Sequence, residues 1–120
     1  MKTKTYDCAA GCPVEATLDL IDGRWKGVIL YHLAGGTLRF NELRRELGAI
    51  TQRMLTKQLR ELEESGLITR KVYAQVPPKV EYTLSPEGES MRPIIRALEA
   101  WGKARIQRLN AAAASPREAA

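Results

Sequence analysis

The residues best suited to chemistry in this 120-residue chain lie between Thr51 and Arg60. At helical spacing Gln52, Arg53, Thr56, Lys57 and Arg60 share one face, while Leu55, Leu59 and Leu62 share the opposite one. The polar face carries the groups that read duplex DNA. Arginine and lysine donate to guanine, glutamine pairs with adenine, and threonine exchanges a hydrogen bond or touches a thymine methyl. Thr51 stands where a side-chain oxygen caps the first turn, and Ile50 before it can staple onto Leu55. A salt-bridged solvent face would mix signs. Here the acids, Glu61, Glu63 and Glu64, all lie at the far end of the helix. Further on, Gln75-Val76-Pro77-Pro78-Lys79 is a turn stiffened by two prolines. Lys79 is expected to touch phosphate there, in or near the minor groove.

The second set of reactive groups is the pair Cys8 and Cys12. Cys12 precedes Pro13, a residue tolerated in the first helical turn. Backbone N–H groups and the helix dipole at such an end favour a thiolate, and an exposed thiolate is what oxidants attack. Cys8, four residues earlier, is placed to resolve an oxidised Cys12 or to cross to a second copy. The residues alone leave another reading open, two inert thiols with Cys12 half-buried as a small hydrophobe. Cys8, Cys12 and His32 lack a fourth strong ligand and the usual paired spacing, so no metal and no cofactor are expected. One histidine, no C-x-x-C pair and no glycine-rich phosphate loop leave nothing to support an enzyme.

The surrounding elements follow from periodicity. Residues 1–11 read as a flexible arm. Val14, Leu18 and Ile21 give a first helix one apolar face, which Asp22-Gly23 ends. A second helix runs from about Arg24 to Leu33, with Trp25, Val28, Ile29 and Leu33 inward. Thr37 to Arg39 is a short extended link. Asn41 is the expected cap of a third helix, with Leu43 and Leu47 inward and Arg44 and Arg45 outward. Gly48-Ala49-Ile50 turns into the helix that starts at Thr51, and Gly66 stops that helix. Residues 67–74 and the alternation of Val80, Tyr82 and Leu84 read as two strands about the Pro-Pro turn. Pro86 opens a final helix to about Leu109, and residues 110–120 read as a disordered tail.

Helix, turn, helix, then a hairpin make a winged helix-turn-helix. The fold class is mainly α with a two- or three-stranded β wing, occupying residues 12–109. Met91, Ile94, Ile95, Leu98 and Trp101 on the final helix are the expected dimer contacts, because tryptophan is enriched at interface hot spots.

Composition agrees. At 44% hydrophobic and 28% charged, one domain with one core is affordable, and the net charge of +5 suits a polyanionic partner. Residues 37–80 hold nine basic and five acidic side chains, so the positive field centres on the reading helix. No apolar run is long enough to span a membrane and no secretory leader is legible, so a cytoplasmic protein with reduced thiols is expected.

Several segments carry a resemblance. They are Cys12-Pro13-Val14-Glu15, Gly23-Arg24-Trp25-Lys26, Leu38 to Leu43, Ile50 to Thr56, Leu62 to Arg70 and Val76 to Leu84, followed by Trp101-Gly102. In this order, over about residues 12–102, the chain resembles the HxlR-type winged helix regulators of bacteria, relatives of the MarR group. The resemblance implies a homodimeric transcription factor on a palindromic operator, paired through its N- and C-terminal helices, with two recognition helices in successive major grooves. It further implies a repressor that senses oxidants or electrophiles, since the sensing residue of many members is the cysteine before the first-helix proline, where Cys12 stands. Other members answer to different signals and some activate instead of repress, so a non-covalent small-molecule effector remains open. So does a winged helix that docks on protein instead of DNA.

Overall fold

Leu55, Leu59 and Leu62 recur at helical spacing, and the computed structural model buries all three. It describes Tyr6 and residues 10–114. The chain divides into two units, one ending at Ser90 and one beginning at Met91. The first holds α1 (Cys12–Leu20), α2 (Lys26–Leu33), β1 (Leu38–Arg39), α3 (Phe40–Leu47), α4 (Gln52–Glu64), β2 (Ile68–Tyr73), β3 (Lys79–Leu84) and α5 (Pro86–Glu89). The second holds α6 (Arg92–Ala114).

In the first unit α2 packs against α3, α4 and β3, and it brings Ile29, Leu30 and Leu33 into the core beside Leu43, Leu55 and Leu59. Val28 was expected inward but is exposed, and Leu30 takes that place. Both residues fit an apolar helix, and only the position of the neighbours chooses between them. The helix begins at Lys26, two residues after the expected start.

The helix-turn-helix is α3, the turn at Gly48 to Thr51, and α4. α3 starts at Phe40, and Arg39, not Asn41, is its cap residue. The Glu42 carboxylate decides this, because it accepts the Arg39 backbone N–H at 2.8 Å and so satisfies the first free donor from inside the helix. α4 ends as expected at Gly66. With φ at +82°, Gly66 donates to the Glu63 carbonyl at 3.0 Å while Leu67 donates to Leu62 at 3.1 Å, the paired bonds of a Schellman stop.

The wing has three strands in the order β1-β3-β2, all antiparallel. β2 pairs with β3 from Ile68 opposite Leu84 to Tyr73 opposite Lys79. The link expected at residues 37–39 is itself a strand, with Leu38 opposite Tyr82 and Arg39 opposite Glu81. Only the root of the hairpin is in the core, where Ile68, Tyr82 and Leu84 are buried, while Val72 is exposed.

The single helix expected from Pro86 to Leu109 is two helices. Ser85 caps α5, its hydroxyl accepting the Gly88 N–H at 3.0 Å and donating to the Gly66 carbonyl at 2.5 Å. The ladder cannot continue past Ser90, because Pro93 has no N–H to donate to the Glu89 carbonyl. α6 in turn runs beyond Leu109 through Asn110–Ala114, where the expected tail proves helical. Four consecutive alanines explain it, alanine having the highest helix propensity.

α1 also departs from expectation. Cys12 is buried, but Val14 and Leu18 are 62% and 56% exposed. The apolar spacing that defines the helix does not bury that face within the described chain.

Candidate nucleic-acid interface

α4 presents its polar face because its leucine face is held in the core. Thr51 takes an extended conformation, and its Oγ1 accepts the Met54 N–H at 3.0 Å, so the N-terminal turn is fixed. Thr51, Gln52, Arg53, Thr56, Lys57 and Arg60 all line one open surface concavity with Met54, Glu61 and Glu64. Gln52, Arg53, Lys57 and Arg60 are exposed. Thr56 is half-buried, and its hydroxyl donates to the Gln52 carbonyl at 2.9 Å, which leaves its lone pairs and methyl to face outward chemistry.

Electrostatics sharpens this face. Glu61 is held by Lys26 at 2.9 Å, and Glu63 lies 3.7 Å from Arg70. Two of the three acids at the far end of α4 are thus drawn toward the protein's own cations. Among the described residues, Arg53, Lys57 and Arg60 form no ion pair. A helix with two of its three acids paired at the far end, and with its forward cations in no ion pair among the described residues, presents a net positive end to a polyanion.

Lys26 is only 13% exposed and also lies 3.4 Å from Asp22. Burial works against its charge, but the Glu61 hydrogen bond and the Glu61 and Asp22 carboxylates outweigh that and raise its pKa above the ordinary 10.5. The folded value exceeds the unfolded one, so this stabilisation is fully present below pH 10.5 and is lost as pH climbs through the raised value. Lys26→Met is therefore expected to lower the melting temperature near neutral pH, with the gap to the parent narrowing at strongly alkaline pH. Melting curves from about pH 8 to about pH 11 check this, and a pH-independent gap would assign Lys26 to packing alone.

Lys79 occupies a different setting from the free cation the sequence suggests. It is the first residue of β3, with Nζ 3.3 Å from the Glu81 carboxylate and 4.7 Å from the Tyr73 ring centre. Lys71 approaches the same ring at 4.8 Å, and the Tyr73 hydroxyl donates to Glu81 at 2.9 Å. That hydroxyl, with the charges of Lys79 and Arg39, holds the Glu81 carboxyl below the usual carboxylate range. Lys79 reaches a phosphate only by giving up part of this cluster.

The fold also gathers residues that sequence reasoning left outside the site. Pairing of β1 with β3 sets Arg39, Asn41 and Arg45 across a groove from Gln75, Pro78 and Lys79. Arg44 joins Asn41 and Arg45 on an adjoining open surface. The outward arginines of α3 were legible from periodicity, but their approach to the wing was not.

Cys12 is the first residue of α1, as expected, but it is 6% exposed and not open to solvent. Cys8 lies outside the described residues. The expected dimer stripe on α6 divides by burial: Met91 and Ile95 are buried, whereas Ile94, Leu98 and Trp101 are exposed. Arg108 stacks over the Trp101 ring at 5.6 Å. Among the described residues no cluster of His, Cys, Asp or Glu could hold a metal ion, and no helix is long and apolar enough to cross a membrane.

A winged helix-turn-helix whose second helix carries a cationic forward face defines a class of DNA-binding regulators, and comparison with known proteins places the chain within it. Residues 20–110 match the family described as HxlR-like helix-turn-helix. The chain is 58% identical over 105 residues to the uncharacterised HTH-type transcriptional regulator YdeP of Bacillus subtilis (strain 168), covering 85% of this chain and 82% of that protein. Among solved structures it is similar to the redox regulator HypR. The oxidised form has 56% identity and a TM-score of 0.74, covering 78% of this chain and 96% of that one. The reduced form has 52% identity and a TM-score of 0.78, covering 82% and 98%. This chain belongs to the HxlR-like helix-turn-helix family. It is a DNA-binding transcriptional regulator and not an enzyme.

Proposed function

We propose that the chain acts as a homodimeric repressor on a palindromic operator, α4 of each copy entering one of two successive major grooves, and that oxidation at Cys12 releases the DNA. The observation that carries the DNA-reading part is the forward face of α4, where Arg53, Lys57 and Arg60 form no ion pair among the described residues while Glu61 and Glu63 are engaged elsewhere. Base contacts come mostly from the N-terminal part of such a helix, which is where Gln52, Arg53 and Thr56 stand. Self-association is supported by apolar side chains left in water on each terminal helix. Val14 and Leu18 stand on α1, and Ile94, Leu98 and Trp101 recur at spacings of four and three on α6, with Trp101 66% exposed. Such a regulator works on the chromosome, hence in the cytoplasm of a bacterial cell.

The redox assignment rests on the position of Cys12 at a helix N-terminus and on the likeness to HypR, a redox regulator solved in reduced and oxidised forms. Because Cys12 is buried, oxidation there requires the structure around it to open to the oxidant. Two thiols then lose two electrons and two protons to the oxidant as an S–S bond forms, with Cys8 of the same chain or of a second copy as the other thiol.

The test is fluorescence anisotropy on the intergenic DNA upstream of the protein's own gene, reduced and after diamide. The reduced parent is expected to bind and the oxidised parent to release, while Cys12→Ser stays bound under diamide. A Cys12→Ser variant that still releases removes Cys12 as the switch. The burial of Cys12 favours one second reading, control by a non-covalent ligand. Tight binding by the parent that diamide leaves untouched is the result that turns to it.

A further inference from the structure

We propose that the groove between the start of α3 and the wing turn is a second seat for duplex DNA, holding a backbone phosphodiester on Arg39 and Arg45. This rests on the reading of α4 as the DNA-entering helix and adds a contact that α4 does not make. The groove encloses about 450 Å³ and draws its walls from segments more than thirty residues apart, α3 with its cap on one side and the Pro77-Pro78 turn on the other.

Its chemistry suits a phosphodiester. Three of its lining side chains, Arg39, Arg45 and Lys79, are cations, against one carboxylate, Glu42. That carboxylate is committed to the Arg39 backbone N–H at 2.8 Å, and Lys79 is shared with Glu81. Among the described residues neither Arg39 nor Arg45 forms an ion pair, and both are exposed. The Asn41 and Gln75 side chains add neutral amide donors on either side. A guanidinium presents a planar fork of donors that matches two phosphate oxygens. The walls are firm, since proline rings restrict the turn and β1 anchors Arg39 to the sheet opposite Glu81. Nothing here offers base-specific geometry, because the first helix of a helix-turn-helix crosses the backbone and does not enter the groove. The seat therefore orients α4 and adds affinity without adding sequence preference.

The experiment uses the full chain and two duplexes of equal length, one selected by the protein from a random pool and one unrelated, each titrated across a range of salt concentrations. Arg45→Ala is the main variant, because the residue is exposed within α3 and alanine keeps the helix. Arg39→Ala and Arg45→Lys accompany it. Arg45→Ala is expected to weaken both duplexes by a similar factor, with the slope of log affinity against log salt flattened by about 0.9 for each phosphate no longer neutralised. The ratio between the duplexes stays the same, and Arg45→Lys keeps most of the slope. An unchanged slope in both alanine variants overturns the seat, and so does a changed ratio, which would make these residues base readers. Inorganic phosphate at matched ionic strength forms a separate arm. Phosphate that displaces duplex from the parent but not from Arg45→Ala is the expected result, because the two anions then compete for the same seat. A parent that binds neither duplex overturns the DNA reading itself, and the seat falls with it.

Discussion

Alanine in place of Gly88 is expected to destabilise the first unit by about 3 kcal/mol, at the upper end of ordinary overpacking. A Cβ at this position would stand 2.1 Å from the Leu67 carbonyl oxygen, 3.1 Å from its carbon and 3.2 Å from a Leu84 methyl. The first two atoms are backbone and cannot swing aside. The same oxygen accepts the Ser85 N–H at 3.0 Å, and the Ser85 hydroxyl ties Gly66 to Gly88. Relief at one point therefore breaks bonds at two others. The direction opposes intrinsic preference, since glycine to alanine inside a helix ordinarily gains about 1 kcal/mol. Thermal or urea unfolding of parent and variant measures the difference. A Gly88→Ala protein as stable as the parent would show that α5 shifts away from the α4–β2 junction without cost.

Removing the forward donors of α4 is expected to abolish discrimination between DNA sequences while the fold survives. Each good bidentate base contact contributes about 1–3 kcal/mol of discrimination, and a two-fold dimer repeats every contact. For Arg53→Ala combined with Lys57→Ala, the preferred duplex is therefore expected to lose at least about a hundredfold in affinity, with a much smaller loss on unrelated DNA. Both side chains are exposed and both positions are helical, so alanine does not disturb the leucine face beneath. This pattern contrasts with that expected for Arg45, where both duplexes weaken together. Equal losses on both duplexes for the α4 variant would reduce Arg53 and Lys57 to phosphate contacts and leave base reading to Gln52 and Thr56.

α4 was legible in the sequence because its determinants are local. The Thr51 cap, the leucines at 55, 59 and 62 and the Gly66 stop all act within one or two turns, and all stand in the structure as the periodicity implies. The hairpin strands were legible for the same reason, as alternation on either side of a proline turn. The misreadings share a different cause. Val14, Leu18 and Val28 have the apolar character of core residues yet are exposed, because burial depends on what lies opposite and not on the residue itself. The break near Ser90 was hidden because Pro86 and Pro93 are each compatible with a first helical turn, and one was read as the start of the whole helix.

The site divides along the same line. Sequence alone determined that a helix with a cationic forward face follows a tight turn and precedes a wing, because composition and spacing suffice for an amphipathic helix. The family resemblance rested on those segments together with residues 12–15, 23–26 and 101–102. Tertiary structure alone decided which charges remain unpaired. Lys26 reaches Glu61 across thirty-five positions and Tyr73 and Lys79 close on Glu81, while β1 joins β3 and carries Arg39 and Arg45 to the wing. Coulomb energy falls with distance through space, and separation along the chain does not enter it. The partner of a charge is therefore known only once the strands have paired and the helices have packed.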